Sequence, residues 1–274
     1  MIELLDHEFM RRALVAATFT GLAAPAIGTY LVQRRLALLG DGLGHVALTG
    51  VALGLLTGIA PLLMAVLVAA AGAVLIELLR MFGRTSADVA LAMLFYGGIA
   101  GGVLLINLAD EGAGKLNSFL FGSITTVSTG DLWLVGGLGV LVIALSVGLS
   151  PQLFAVCQDE EHAQVSGVPV KAYSLLIAVL AAVTITVAMR TVGLLLVSAL
   201  MVVPVATAQQ LTRSFRATHL TAMVVGLVAA LGGVVTSYGI NAQPGPTIVV
   251  LALAAFAVAA LAGAVARRRR PATT

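Results

Sequence analysis

Runs of about twenty apolar residues, separated only by short polar turns, follow one another from end to end of this chain. A helix needs about 20 such residues to cross the hydrocarbon core of a bilayer. Hydropathy places such runs near residues 9–32, 41–59, 61–80, 87–108, 131–150, 172–190, 192–211, 219–239 and 246–266. Pro61, Gly83, Gly130, Pro151, Pro169 and the Pro244-Gly245-Pro246 turn divide them. Only 10% of the 274 residues are charged and 60% are hydrophobic. Soluble domains carry about 25% charged residues, so lipid must hide the surplus. The expected fold class is an all-α polytopic membrane protein with about nine transmembrane helices. Residues 1–266 form one transmembrane domain, and 267–274 form a basic cytoplasmic tail.

Basic residues set the expected orientation. With nine spans, Arg34, Arg35, Arg80, Arg84, Lys171, Arg213, Arg216 and Arg267 to Arg270 share one side. Arg11, Arg12, Lys115 and Arg190 take the other. The richer side is cytoplasmic, so the N-terminus is outside and the C-terminus inside. Arg11 and Arg12 fit this poorly unless they snorkel to the outer interface, and eight spans stay possible. The start, MIELLDHEF, lacks a basic segment followed by a cleavage site, so the first span is expected to act as the membrane signal. One cysteine, Cys157, excludes an internal disulfide and a multi-cysteine metal cluster.

The run RRLALLGDGLGHVALTGVALG, residues 34–54, holds the candidate chemistry. Asp41 and His45 stand four residues apart, about 40° apart on one helix face. A carboxylate with an imidazole suits zinc, manganese or ferrous iron. Ionisable groups inside a membrane span are costly, so the pair is a functional candidate. The alternative is that Asp41 caps the helix start and His45 is a satisfied core histidine. Gly50, Gly54 and Gly58 form a small-residue ridge about 140–180° from His45, suited to close helix packing. Thr49 and Ala52 share the His45 face.

Other polar residues read more plainly. Glu77 pairs with Arg80 or Arg84, and Asp88 caps a helix start. Pro204 loosens the span that carries Ser198, Thr207 and Gln209. Gly97, Gly98, Gly101 and Gly102 form a packing patch. His7, His162 and His219 read as solvated. KLNSFLFGSITTVSTG, within the long outer connection 109–130, reads as a short or half-inserted helix ending near Gly122. The inner connection, 151–171, holds a two-turn helix, with Asp159, Glu160 and Glu161 at its amino end and Gly167 and Pro169 at its stop. It reads as a docking element for a soluble partner or as a solvated linker. There is no GxxxxGK[ST], so this chain does not bind ATP by a P-loop, and no HExxH. No basic, aromatic-interleaved surface suggests nucleic acid, and no catalytic residue is expected. The residues leave open an ATP-independent secondary transporter or channel for a divalent cation.

Five stretches together resemble the membrane permease subunit of bacterial ABC importers for zinc, manganese or iron: RRLALLGDGLGHVALTGVALGLL, LNSFLFGSI, DEEHAQVSGVPV, VGLLLVSALMVVPVATAQ and PGPTIVVL. The resemblance runs from about residue 10 to about 265. It implies a permease in the cytoplasmic membrane, a homodimer, two copies of a separate ATPase below it, and an extracytoplasmic metal-binding protein above. It implies no permanently bound cofactor, only a transported ion. Asp41 and His45 become candidate metal contacts. The helix near 159–167, with Asp159, Glu160, Glu161, Ala163, Val165 and Gly167, becomes the ATPase-coupling element. Asn241-Ala242-Gln243 stands where relatives often have an acid.

Overall fold

Backbone amides in lipid must bond within their own segment, so each apolar run folds as a helix. The computed structural model describes residues 8–82, 87–108, 118–123, 128–194 and 196–268. In chain order the helices are α1 (Glu8–Gln33), α2 (Leu39–Thr57), α3 (Pro61–Phe82), α4 (Ala87–Leu108), α5 (Thr129–Gly148) and α6 (Ser150–Gln158). They continue as α7 (Glu160–Val165), α8 (Val170–Met189), α9 (Val197–Leu211), α10 (Phe215–Gly239) and α11 (Pro244–Arg268). Eight of them are long and apolar enough to cross a membrane, and α9, with 15 residues, is too short. At 1.5 Å per residue α9 covers about 22 Å of a core about 30 Å thick.

Two ends of the bundle are distinguished by their charges. At one, a cavity of about 430 Å³ is lined by Gln33, Arg34, Arg35, Arg80, Gln158 and Glu160. It adjoins one of about 660 Å³ that includes Arg80, Glu160 and Lys171, and another that joins Gln33 and Gln158 to Arg213. Five of the cations assigned to one side, Arg34, Arg35, Arg80, Lys171 and Arg213, thus gather there. At the opposite end Arg190 pairs with Asp131 at 3.0 Å, both side chains 14% exposed, and lies 4.6 Å over the Phe119 ring. Helix α8 runs toward Arg190, and α10 starts at Phe215, which lines the same cavity as Gln33. The chain between them therefore traverses the bundle. The span expected at 192–211 exists as a passage, but Val192 to Leu194 and Leu196 are not helical. Thr191 to Leu194 turn back into the protein instead, and α9 finishes the crossing.

That irregular stretch is pinned by backbone. Leu194 N–H donates to Phe119 O (2.9 Å) and Ser123 N–H to Arg190 O (3.2 Å). Gly193 adopts φ +86° and Gly122 φ +75°. A Cβ on Gly193 would collide with the Phe121 backbone, and one on Gly245 with Val192 O. Non-helical backbone is tolerated at this depth only where protein covers it, as here. Residues 118–121 form the helical turn expected to end near Gly122; 109–117 and 124–127 lie outside the described residues.

Helices α1 and α8 form the centre, with 72% of their most apolar stretch buried, against 17% in α4. Packing in lipid depends on close backbone approach rather than on a hydrophobic drive. Gly21 of α1 and Gly226 of α10 meet this way beside Pro25. Helix α1 ends in a Schellman motif: Leu36 N–H donates to Leu31 O (2.8 Å), Arg35 N–H to Val32 O (3.1 Å), and Arg35 takes φ +60°. Arg35 therefore ends α1, and α2 starts four residues later at Leu39, which is buried.

His219 departs from expectation. It is 3% exposed, not solvated. Helix α10 begins at Phe215, with the Ser214 hydroxyl accepting from Ala217 N–H, so His219 falls on its second turn. There it packs against the rings of Tyr30 (5.4 Å) and Phe215 (6.0 Å).

The backbone crossing predicts the first outcome. Gly193→Ala and Gly245→Ala should each destabilise the protein by about 3 kcal/mol or more, read as a fall in the thermal unfolding midpoint in detergent. Gly239→Ala, where nothing lies within 4 Å of the added methyl, should leave the midpoint unchanged or higher. Equal midpoints for all three variants would contradict this packing.

Candidate metal-ion site

Helix α2 is hemmed in on three sides through its glycines. Gly50 and Gly54 face α3: added Cβ atoms would lie 2.6 Å from Ala65 Cα and 2.7 Å from Pro61 Cα. Gly40 and Gly44 face the start of α9 and the stretch before it, meeting Ser198 at 3.3 Å and Leu194 at 3.6 Å. Gly42 faces Leu91 and Leu94 of α4, and Gly98 of α4 meets the His45 and Val46 backbone at 2.7 Å. The expected ridge at Gly50 and Gly54 and most of the α4 patch are thus packing surfaces; Gly97 alone of the four glycines in that patch meets nothing within 4 Å.

These contacts fix where the polar face points. At 100° per residue, with Asp41 at zero, the α3 contacts lie near 200°, the α9 contacts near −80° and Gly42 near +100°, all approximate. Asp41 and His45, at about 0° and 40°, project between α4 and α9. Both are half-buried. One turn further on, Leu48 is 5% exposed and packs on Gly102, so apolar contact bounds this sector in that direction.

Each side chain is held on one side. Ser198 Oγ donates to Asp41 Oδ1. The His45 ring packs edge-on against Phe95, with centroids 4.5 Å apart. Its Nδ1 is buried without a hydrogen-bond partner among the described residues. Thr49 Oγ1 donates to Gly98 O at 2.9 Å, so Thr49 fastens α2 to α4. Asp41 is not a cap: the residue before α2 is Leu38, with no side-chain cap bond. Depth follows from neighbours. Gly40 packs on Ser198 and Met201, and the Met201 backbone packs on Gly28 of α1. Gly28 lies five residues inside the end of α1, about 7 Å. The pair is therefore embedded.

Among the described residues no group of three or more His, Cys, Asp or Glu side chains is placed to hold a metal ion. Asp41 and His45 supply at most two protein ligands. Glu77, 3% exposed, is held by Arg80 at 2.8 Å, as expected. The Asp88 side chain lies outside the described residues.

The second candidate region, 159–167, sits at the basic end. Asp159 caps α7 by accepting from His162 N–H at 3.0 Å. Gly167, at φ +83°, closes it in a Schellman motif, with Val168 N–H donating to Ala163 O (3.0 Å) and Gly167 N–H to Gln164 O (3.0 Å). Ala163 is 1% exposed and seats the helix, whereas Val165 is 89% exposed. Glu160 pairs with Arg34, whose side chain is 5% exposed, and Gln33 donates to Gln158 at 3.0 Å. The α6–α7 elbow is thus tied to the turn that leads into α2, a link between distant segments that spacing in the sequence did not signal. Beside it Cys157 Sγ donates to Tyr30 O at 3.8 Å. Burial pushes its thiol up to about 12, against a smaller opposing effect from Arg34.

Residues 6–263 match the family described as the ABC 3 transport family. The chain is 36% identical over 242 residues to a "Probable metal transport system membrane protein" of Treponema pallidum, covering 88% of this chain and 91% of the relative. It is 30% identical to the manganese transport system membrane protein MntC of Halalkalibacterium halodurans, over 94% and 88% of the two chains. Among solved structures, PsaBC from Streptococcus pneumoniae in complex with Fab superposes with a TM-score of 0.84 at 29% identity, covering 94% of this chain and 95% of that one.

The environment of Cys157 predicts its reactivity. A thiol near 12 holds roughly a thousandfold less thiolate at neutral pH than an unperturbed one. Iodoacetamide should label the folded protein very slowly at pH 7.5 and faster as pH rises, with ordinary labelling in SDS. Labelling of the folded protein at the SDS rate would contradict the burial.

Proposed function

This chain belongs to the ABC 3 transport family, and we propose that it is the permease subunit of an ATP-driven importer of a divalent transition metal, with manganese as the leading cargo. Membership makes it a multi-pass membrane transport protein, and in this reading ATP hydrolysis belongs to a separate subunit. The manganese reading draws on relatives named for manganese transport; zinc and iron are the rival cargoes.

One observation carries the site: an acid and an imidazole from one helix, both half-buried, share the sector of α2 that lies between its contacts with α4 and α9. A dication crossing lipid must exchange water for protein oxygen and nitrogen, because bare desolvation is prohibitive. Asp41 and His45 offer one of each. Zinc takes four ligands and manganese six, so one chain is insufficient. A homodimer whose two-fold axis passes this sector doubles the set to four. That arithmetic supports the dimer, and it supports reading the sector as lining the passage.

The orientation follows the charge partition: the end holding Arg34, Arg35, Arg80, Lys171 and Arg213 is cytoplasmic, with the N-terminus outside and the C-terminus inside. Helix α7 then lies on the cytoplasmic surface. Its exposed Glu161 and Val165 suit a groove on a partner ATPase, while Asp159, Ala163 and Gly167 shape and seat the helix. Glu160 faces inward to Arg34. A push on α7 reaches α2 through that ion pair and the Gln33–Gln158 bond, biasing the passage between outward and inward openings. An extracytoplasmic binding protein would deliver the ion at the Arg190 end.

Asp41→Asn and His45→Ala should each reduce uptake of radiolabelled manganese to background while leaving the protein's membrane level unchanged. Wild-type uptake by both would refute the site. Excess zinc or iron that fails to compete would settle the cargo as manganese. For the tie to the elbow, Arg34→Glu and Glu160→Arg should each lower uptake, and the double exchange should recover it. No recovery, or no loss in either single variant, removes the ion pair from the coupling path.

A further inference from the structure

Ser198 occupies the second position of α9, and its hydroxyl makes an unusual choice of partner. Ser and Thr near a helix start ordinarily bond to their own backbone. Ser128 and Ser214, each just before a helix in this protein, do accept from the backbone N–H three residues on. Helix α9 has no side-chain cap: Leu196 stands before it. Ser198 bonds instead to another helix, donating to Asp41 Oδ1.

The backbone is built to permit this. The Ser198 Cβ would lie 3.3 Å from a Cβ on Gly40, so a larger residue at 40 would push α9 away. On the other side, Met201 is packed against Gly28. The preceding residues, Thr191 to Leu194, are pinned by Phe119 O, the Phe121–Gly122 backbone and Gly245. Ser198 therefore has a fixed position, set by segments from three other parts of the chain. Asp41 Oδ2 makes no hydrogen bond within the described residues.

We propose that Ser198 is a positioning residue for the ion: its hydroxyl fixes the Asp41 carboxylate through Oδ1 and leaves Oδ2 to meet the cation beside His45. The inference rests on the cargo site argued above. A hydrogen bond to a ligating carboxylate typically accounts for 10–100-fold of metal affinity. The serine is neutral, so it orients the carboxylate without cancelling its charge. Because Ser198 sits on α9 and Asp41 on α2, any movement of one helix against the other breaks the bond and frees the carboxylate to turn. Affinity for the ion is thereby linked to the packing of α9.

The test is equilibrium binding of manganese to the purified full-length chain, because uptake would also report on delivery by other subunits. S198A should weaken binding about 10–100-fold, with an unliganded unfolding midpoint close to that of the unaltered protein. S198T, which keeps the hydroxyl, should bind far more tightly than S198A. S198C, a weak donor, should fall between them, and it carries the test with the same sign if S198A does not accumulate. Binding by S198A or S198C within twofold of the unaltered chain overturns the role of Ser198. D41N run in parallel separates the two readings. Lost binding in D41N with normal binding in S198A removes Ser198 alone. Normal binding in D41N, or none by the unaltered chain, removes the cargo site and Ser198 with it.

Discussion

A helix in lipid has no hydrophobic reason to choose one neighbour over another, so the shape of its surface decides. In α2 that shape is written by glycines spaced four apart. Gly50 and Gly54 admit α3, Gly40 and Gly44 admit the start of α9, and Gly98 on α4 admits the His45 backbone. These neighbours, with Ile185 of α8 beside Gly44, leave one sector of α2, and that sector bears the carboxylate and the imidazole. Everything proposed for the ion follows from this exclusion. A polar face pointed at lipid would be costly, and one covered by a fourth helix would be inaccessible.

The remaining charges are handled by pairing, and the pairs double as structural ties. Glu77 lies against Arg80 within α3. Arg190 and Asp131 join the end of α8 to the start of α5, and the same arginine covers Phe119. Arg34 and Glu160 join the α1–α2 turn to α7. Exposed ion pairs contribute little on their own, but these cations are largely removed from solvent. Loss of one partner leaves an uncompensated charge. The two Schellman motifs make a related contrast. At Gly167 the left-handed position is held by the residue best suited to it. At Arg35 the chain accepts a cost of about 1–2 kcal/mol to keep an arginine there, in the cavity it shares with Arg34 and Arg80.

Much of this was legible beforehand, for identifiable reasons. Hydropathy finds a helix wherever twenty apolar residues run together, because lipid allows little else. Spacing of three to four found the Gly50–Gly54 ridge, the Asp41–His45 face and the Glu77–Arg80 pair, all local to one helix. Acids before α7 and a glycine after it marked that helix, since capping is also local. What escaped was non-local or irregular. A hydropathy average over 192–211 cannot distinguish a helix from a folded-back strand of backbone with the same side chains, and only Gly193 hinted at the break. His219 read as solvated because it stands beside a loop with no second ligand at useful spacing; its burial depends on Tyr30, which lies far away in sequence. The embedding of Asp41 depends on Gly40 packing against Ser198 and Met201, and Met201 against Gly28, partners far apart in sequence.

The broken passage before α9 deserves a physical reason, and the geometry supplies one. A continuous helix through 192–211 would present a smooth cylinder to α2, with its early carbonyls and amides bonded internally. Stopping the helix short brings its first turn to the level of Asp41 instead of the membrane surface. There Ser198 can reach across, and Gly40 lets it come close. The irregular backbone this requires would be intolerable in lipid, so 118–123 and Gly245 wrap it with protein. In discontinuous helices of membrane transporters, the ends of the half-helices lie near the transported ion. Here the same arrangement brings a donor from a second helix to the one acid on the polar face of α2. It follows that the elements at the Arg190 end are not merely a lid. By holding the stretch before α9 in place, they set the position of a side chain that touches the candidate ligand well inside the bundle.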